Sequence, residues 1–174
     1  VLRPGALTQI RARALIMATG CRERTREMIH IGGTRPAGIM SAGLAQKLIN
    51  HEGLLPGRNI VIVGSGDIGL IMARRCTLEG ATVKAVIEIL PRPKGLMRNV
   101  VQCLHDFTIP LYCRHKIEMI YGRDRVERVT VVRFTDEGKP DTASRFDIAC
   151  DTVLISAGLI PENELIEMAG IPLD

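Results

Sequence analysis

Apolar and polar positions along this chain recur with two different periods, and each change of period marks a new element. The apolar run from Ala14 to Thr19, closed by Gly20, predicts a buried strand and a turn. Cys21 to Gly38 mixes charge with Gly32-Gly33 and Pro36, which predicts an irregular crossing segment. A helical period follows. Ser41 is placed to cap a helix running to about His51, with Leu44, Ala45, Leu48 and Ile49 on one face and Gly53 at its end. Pro56-Gly57 then turns the chain into Asn59 to Val63, a strand rich in β-branched residues that reads as buried on both faces, as in a parallel sheet.

A glycine-rich turn leads into a helix from about Asp67 to Glu79, where Ile68, Met72 and Cys76 stack at intervals of four beside a row with Ile71 and Arg75. Gly80 ends it, and Thr82 to Glu88 is a second strand. Strand, helix and strand together have the length of one βαβ unit, about 30 residues, with a right-handed crossover expected. Pro91 and Pro93 break the pattern, Leu96 to Asp106 can form another helix, and Ile109 to Cys113 reads as a third strand. After it Ile117 to Tyr121, Val126 to Phe134 and Arg145 to Cys150 read as a β-meander with polar turns between them. Thr152 to Ala157 is one more apolar strand, closed by Gly158, and Glu162 to Met168 a short helix ending at Gly170.

Composition narrows the classes of function. The 174 residues suffice for a core, and with aromatics at 3% and no Trp that core is built from aliphatic residues, Ala and Met. The net charge of +4 is spread along the chain and lacks interleaved stacking aromatics, so nucleic-acid binding is not expected. It does suit an anionic small molecule. Cys21, Cys76, Cys103, Cys113 and Cys150 are odd in number and form no C-x-x-C, which points to a reducing, cytoplasmic setting rather than a disulfide framework. His30, His51, His105 and His115 make no ligand cluster, so no metal is expected. Neither a signal peptide nor an apolar run of the roughly 18 residues a membrane span needs is recognisable. The chain opens abruptly near a strand and reads as a piece of a longer protein.

The chemistry is carried by Val61-Ile62-Val63-Gly64-Ser65-Gly66-Asp67-Ile68-Gly69. A lone G-x-G-x-x-G is weak, but this one leaves a strand, opens a helix, and is followed by an acid, Glu88, at the end of the next strand, 19 positions after Gly69. The pattern predicts a Rossmann-like α/β domain that binds a dinucleotide. Gly64 allows the turn, Gly66 lets a pyrophosphate approach the backbone, and Gly69 lets the helix pack against the strands. The free N–H groups at the helix start hold the phosphate charge. Glu88 can accept hydrogen bonds from both ribose hydroxyls and would repel a 2′-phosphate, favouring NAD(H) over NADP(H); Arg92 and Lys94, close behind it, pull the other way unless they are simply a solvated loop. Asp67 is open between complementing the helix dipole and orienting the nicotinamide–phosphate end.

These features resemble the pyridine nucleotide-disulphide oxidoreductase superfamily, flavoproteins in which an NAD(P)H domain interrupts an FAD domain. Ala14-Leu15-Ile16-Met17-Ala18-Thr19-Gly20 resembles the strand and A-T-G turn that contacts the flavin cofactor. Leu55 to Gly66 resembles the entry into the NAD domain, and Asp151 to Gly158 with Pro161-Glu162-Asn163-Glu164-Leu165 the exit strand and its sequel. Gly33 to Gln46 resembles the subgroup of FAD- or NAD(FAD)-dependent dehydrogenases related to amine- and opine-oxidising flavoproteins. The resemblance implies a three-layer NAD(P)-binding domain, parallel sheet plus β-meander, at 39–158, flanked by FAD-domain stubs at 1–38 and 159–174. It implies NAD(H) on Gly64, Ser65, Gly66, Asp67, Ile68, Gly69, Glu88, Ala157 and Gly158, and FAD on Ala18, Thr19 and Gly20 of the full-length parent.

Hydride would pass between nicotinamide and flavin in that parent; no protein acid or base is assigned, since the cofactors carry the chemistry. This chain alone would bind NAD(H) at most. The partners implied are the FAD-domain parts of the same chain, with a homodimer or a partner subunit left open. The alternative is a nucleotide-binding structural or assembly module of a multi-subunit amine- or opine-type dehydrogenase. A single-domain dehydrogenase is disfavoured, because no Tyr-x-x-x-Lys or His/Asp pair supplies proton transfer. Cys21, among Arg22, Arg24 and Arg26, is either an activated thiol or an ordinary exposed one, and the arginine run either a phosphate or partner contact or a solvated surface.

Overall fold

The computed structural model describes residues 9–173. The chain divides into two compact units, one made of the residues up to Arg22 together with those from Pro161 onward, the other Glu23–Ile160. Two short strands, β1 (Cys21–Glu23) and β11 (Leu159–Pro161), lie where the chain passes from one to the other.

In the larger unit a five-stranded sheet is wholly parallel. Its strands are β3 (Ile39–Ser41), β4 (Asn59–Val63), β5 (Thr82–Glu88), β6 (Leu111–Cys113) and β10 (Thr152–Ile155), in the order β3-β10-β4-β5-β6. A second sheet holds β2 (Gly32–Gly33), β7 (His115–Gly122), β8 (Val126–Phe134) and β9 (Pro140–Ala149), the last three an antiparallel meander. Helices α1 (Ala42–Glu52), α2 (Asp67–Leu78) and α3 (Met97–Cys103) complete the unit.

The strand pattern explains the layering. Alternate side chains of β4 enter opposite cores: Ile60 and Ile62 pack with Ala45, Leu70, Met72 and Cys76 of the helices, while Val61 packs with Ile87, Ile117, Val129 and Val153 against the meander. All three β4 residues are fully buried, as a parallel strand covered on both faces should be. Each such aliphatic side chain contributes roughly 1.5–3 kcal/mol by its removal from water. The expected three-layer α/β fold is therefore present, with β4, β5 and the meander strand β8 where the pattern places them.

Other expectations need correction. Ala14 to Thr19 is not a strand: no described strand pairs with it, and Leu15 and Ile16 stand 78% and 91% exposed. The crossing segment is more ordered than its charge suggests, because Arg26 is buried and donates to the carbonyls of Ile31 (2.9 Å), Gly32 and Thr34, drawing the backbone around its guanidinium. In α1 the buried stripe is Ala42, Ala45 and Ile49, with Leu44 exposed. In α2 it is Gly69, Leu70, Met72, Ala73 and Cys76, and Ile68 and Ile71 face outward. The third and exit strands are shorter than read, Leu111–Cys113 and Thr152–Ile155, and the helix after Pro93 splits into α3 and a 3₁₀ turn at His105–Phe107. In the smaller unit α4 (Glu164–Met168) is preceded by Glu162, whose N–H donates to the Gly20 carbonyl at 3.0 Å. Arg22 there pairs with Glu162 and Glu164.

Asp151 ties the entry of β4 to the start of β10. Its carboxylate accepts from the N–H groups of Arg58 (3.0 Å) and Asn59 (2.9 Å) and from the Thr152 hydroxyl (2.8 Å). Burial pushes its pKa up, but the hydrogen bonds from Thr152, Asn59 and Arg58 outweigh it and hold the carboxyl below its ordinary value. A depressed folded pKa gives stability that is complete above the ordinary carboxyl range and lost as pH falls through the folded value. Asp151→Ala should cost about 1–3 kcal/mol in urea unfolding at neutral pH, by leaving two N–H groups unpaired. The wild type should also lose more stability below about pH 4 than the variant does. Equal stability of the two proteins at pH 7 would contradict this role.

Candidate functional site

The C-terminal ends of β10, β4 and β5 open side by side into a cleft of about 880 Å³. That is the size of a small-molecule site, placed where parallel α/β sheets bind ligands. Gly64, Ser65, Gly66, Asp67, Ile68, Glu88, Ala157 and Gly158 all line it, so eight of the nine residues expected at the nucleotide meet there. Gly69, the ninth, packs behind the turn. Ala18, Thr19 and Gly20 are exposed residues of the smaller unit.

Each glycine has a distinct geometric reason. Gly64 takes φ +96°, and a Cβ on it would stand 2.2 Å from the Ser156 carbonyl oxygen. Gly69 is the tight helix–strand contact, since its Cβ would meet the Gly64 carbonyl oxygen at 2.3 Å. Gly66 is different: nothing lies within 4 Å of where its Cβ would be. The backbone there faces open space at the start of α2, and no side chain caps that helix end. The uncapped N–H groups and the positive end of the helix dipole thus point into the cleft, an arrangement that fits a phosphate.

Glu88 ends β5 and is only 5% exposed. Its Oε2 accepts from the Ser65 N–H (2.8 Å) and hydroxyl, and its Oε1 accepts from the Leu90 N–H (2.9 Å). Asp67 lines the cleft and also reaches the following segment: its Oδ1 accepts from the Leu96 N–H (2.9 Å) and the Asn99 amide (2.7 Å). These two hydrogen bonds, the Asn99 one foremost, hold its carboxyl below the ordinary value. Tethering α3 is a third role for Asp67, beside the helix-dipole and nucleotide roles that its sequence position leaves open.

Sequence reasoning missed the loop that closes this network. Gly95 donates its N–H to the Ser65 carbonyl at 2.8 Å, and Lys94 donates its N–H to the Ser65 hydroxyl at 3.0 Å. A Cβ at Gly95 would meet Leu70 at 2.6 Å and Asp67 at 2.9 Å. The available signal was a glycine two residues after Pro93, which marks a close approach and not only a turn. Arg24, Met28 and Leu159 also line the cleft, as do His115 and Lys116 at the start of β7. Arg24 is thus placed at the cleft and Arg26 is structural, which splits the arginine run.

The cysteines stay out of the site. Cys76, Cys103 and Cys150 are buried; burial pushes the Cys76 thiol up to about 11 and the Cys150 thiol up to about 12, which makes both unreactive packing groups. Cys21 is exposed. Among the described residues no group of three His, Cys, Asp or Glu is placed to hold a metal ion, and no helix is long and apolar enough to cross a membrane.

Known proteins resemble this chain in sequence and in fold. The sequence model of the pyridine nucleotide-disulphide oxidoreductase family matches residues 2–174. The chain is 25% identical to the hydrogen cyanide synthase subunit HcnB of Pseudomonas protegens over 178 residues, covering 94% of this chain and 37% of that protein. It is 32% identical over 165 residues to the ferredoxin–NAD(+) reductase component of the biphenyl dioxygenase system of Paraburkholderia xenovorans, covering 90% of this chain and 36% of that one. Its fold is similar to that of thioredoxin reductase from T. acidophilum, with TM-score 0.68, 23% identity, and coverage of 90% of this chain and 47% of that one. The chain spans little more than a third of the length of these two sequence relatives.

The two glycines at the turn separate folding from binding. Gly64→Ala should lose more than about 2 kcal/mol in thermal or urea unfolding, through the strained φ and the clash with Ser156. Gly66→Ala should lose less than about 1 kcal/mol, since it meets nothing and only weakens a helix cap. Equal losses in the two variants would show that the turn is not built as described.

Proposed function

Because the chain belongs to the pyridine nucleotide-disulphide oxidoreductase family, whose members use NAD(P)H and FAD, we propose that its cleft is the NAD(H) site of an FAD-dependent oxidoreductase. In the full-length protein, hydride passes between nicotinamide and flavin. The observation that carries this reading is the uncapped start of α2 with open space at Gly66, beside an acid at the end of the next strand. The pyrophosphate lies on the N–H groups of the α2 start, the adenosine ribose reaches Glu88, and the nicotinamide end runs along Ser156, Ala157 and Gly158. Bound flavin supplies the electron acceptor or donor. The protein's part is to hold the nucleotide in register and to exclude a 2′-phosphate by the charge of Glu88.

The smaller unit, with Ala18, Thr19 and Gly20, belongs in this reading to the FAD-binding part of the same protein. The domain limits 1–38, 39–158 and 159–174 follow from the same assignment. A second reading is favoured by the likeness to a protein named as a synthase subunit: the nucleotide is bound for assembly, and a partner subunit performs the redox step. Full-length protein that purifies yellow and is bleached by NADH would support the first reading; bound flavin that NADH does not reduce would support the second.

Binding is tested on this chain directly by calorimetric titration with NADH and NADPH. NADH should bind at least tenfold tighter than NADPH, and Gly66→Ala should weaken NADH at least tenfold while losing less than about 1 kcal/mol of stability. Tighter binding of NADPH, or undiminished binding by the variant, would refute the placement of the ribose at Glu88 or of the phosphate at Gly66, respectively.

A further inference from the structure

Ser65 stands at an interchangeable position of the G-x-G turn, yet it is completely buried and its hydroxyl has a fixed direction. The Lys94 N–H donates to Oγ at 3.0 Å. A hydroxyl has one proton, and here it goes to Oε2 of Glu88. The Ser65 N–H donates to the same oxygen at 2.8 Å, and the Leu90 N–H to Oε1 at 2.9 Å. All three partners of the carboxylate are donors, so Glu88 serves only as an acceptor, and it cannot swing aside without breaking hydrogen bonds on both oxygens. The same hydroxyl fixes the loop that carries the Lys94 ammonium, because it anchors that residue's backbone.

We propose that Ser65 is a specificity-determining residue that acts through Glu88. Its hydroxyl locks the carboxylate at the adenosine-ribose end of the cleft, where the remaining acceptor capacity of Oε1 receives a ribose hydroxyl and the fixed negative charge rejects a 2′-phosphate. Without the lock, Glu88 keeps only the backbone N–H groups of residue 65 and Leu90, and the Lys94 segment keeps only its bonds at Gly95 and Leu96, so the carboxylate is held less firmly and the Lys94 cation gains freedom to approach a phosphate. Both changes favour the phosphorylated nucleotide. The assignment rests on the reading of the cleft as a dinucleotide site. It goes beyond that reading by giving the discrimination to a pair of residues and not to the acid alone. In energetic terms the pair couples: the effect of removing the hydroxyl depends on the carboxylate being present.

The test is calorimetric titration of the whole 174-residue chain with NADH and with NADPH, in the wild type, Ser65→Ala, Glu88→Ala and the double variant. The readout is the ratio of the two dissociation constants, which cancels any general loosening of the turn because the ligands differ only in the 2′-phosphate. Ser65→Ala should reduce the preference for NADH about tenfold, and in the Glu88→Ala background the same change should alter the ratio less than twofold. A Ser65→Ala chain that loses affinity for both nucleotides equally overturns the assignment and leaves the dinucleotide reading standing. So does an equal shift of the ratio in the Glu88→Ala background. A wild-type chain that binds neither nucleotide overturns both.

Discussion

Gly64 leaves β4 with its α-carbon pressed against the backbone of Ser156 at the end of β10, where a side chain would come within 2.2 Å of a carbonyl oxygen. This close approach of two backbones lets neighbouring parallel strands end together and the chain turn at once into α2. Gly69 repeats the constraint one turn later, against Gly64 itself. The helix start is thereby pinned over the sheet edge with its N–H groups exposed. The opening at Gly66 exists because its neighbours are packed so tightly.

A second layer of order is polar. Ser65, Glu88 and the segment Lys94 to Leu96 join through hydrogen bonds of 2.8–3.0 Å. A buried carboxylate is costly unless its oxygens are satisfied; here both donors to Oε2 come from Ser65 in the glycine turn and the donor to Oε1 is the Leu90 N–H. The acid and the α2 start are therefore joined by hydrogen bonds, and in the proposed reading the fold sets the distance between a ribose at one and a pyrophosphate at the other. Asp67 does the corresponding work for α3, so the loop after β5 is held from both sides.

Much of this was legible in the sequence. β4 and β5 could be bounded from their β-branched runs, and α2 from its glycines, because local propensity, burial and turn chemistry agree there. The family resemblance added Ala157 and Gly158, which no periodicity singles out. What stayed hidden depends on tertiary contact. β3, at Ile39–Ser41, is three half-buried residues after a proline and a glycine, and it becomes a strand only by pairing with β10. Ala14 to Thr19 has the composition of a buried strand but no described neighbour to pair with. The bond from Ser65 to Glu88 spans 23 positions and cannot be read from either residue alone. Leu44 was expected on the apolar face of α1 and is exposed, because periodicity fixes a stripe but not which of its edges packs inward.

The central claim is that the α2 start and the end of β5 together form one nucleotide cradle. Amide chemical-shift mapping of the chain titrated with NADH tests it most directly. The account predicts that the shifts concentrate at Gly64 to Gly69, at Glu88 to Leu90 and at Ser156 to Gly158, with the far turn of the meander at Asp136 to Gly138 unaffected. Shifts absent from the glycine turn, or centred on the meander, would contradict it.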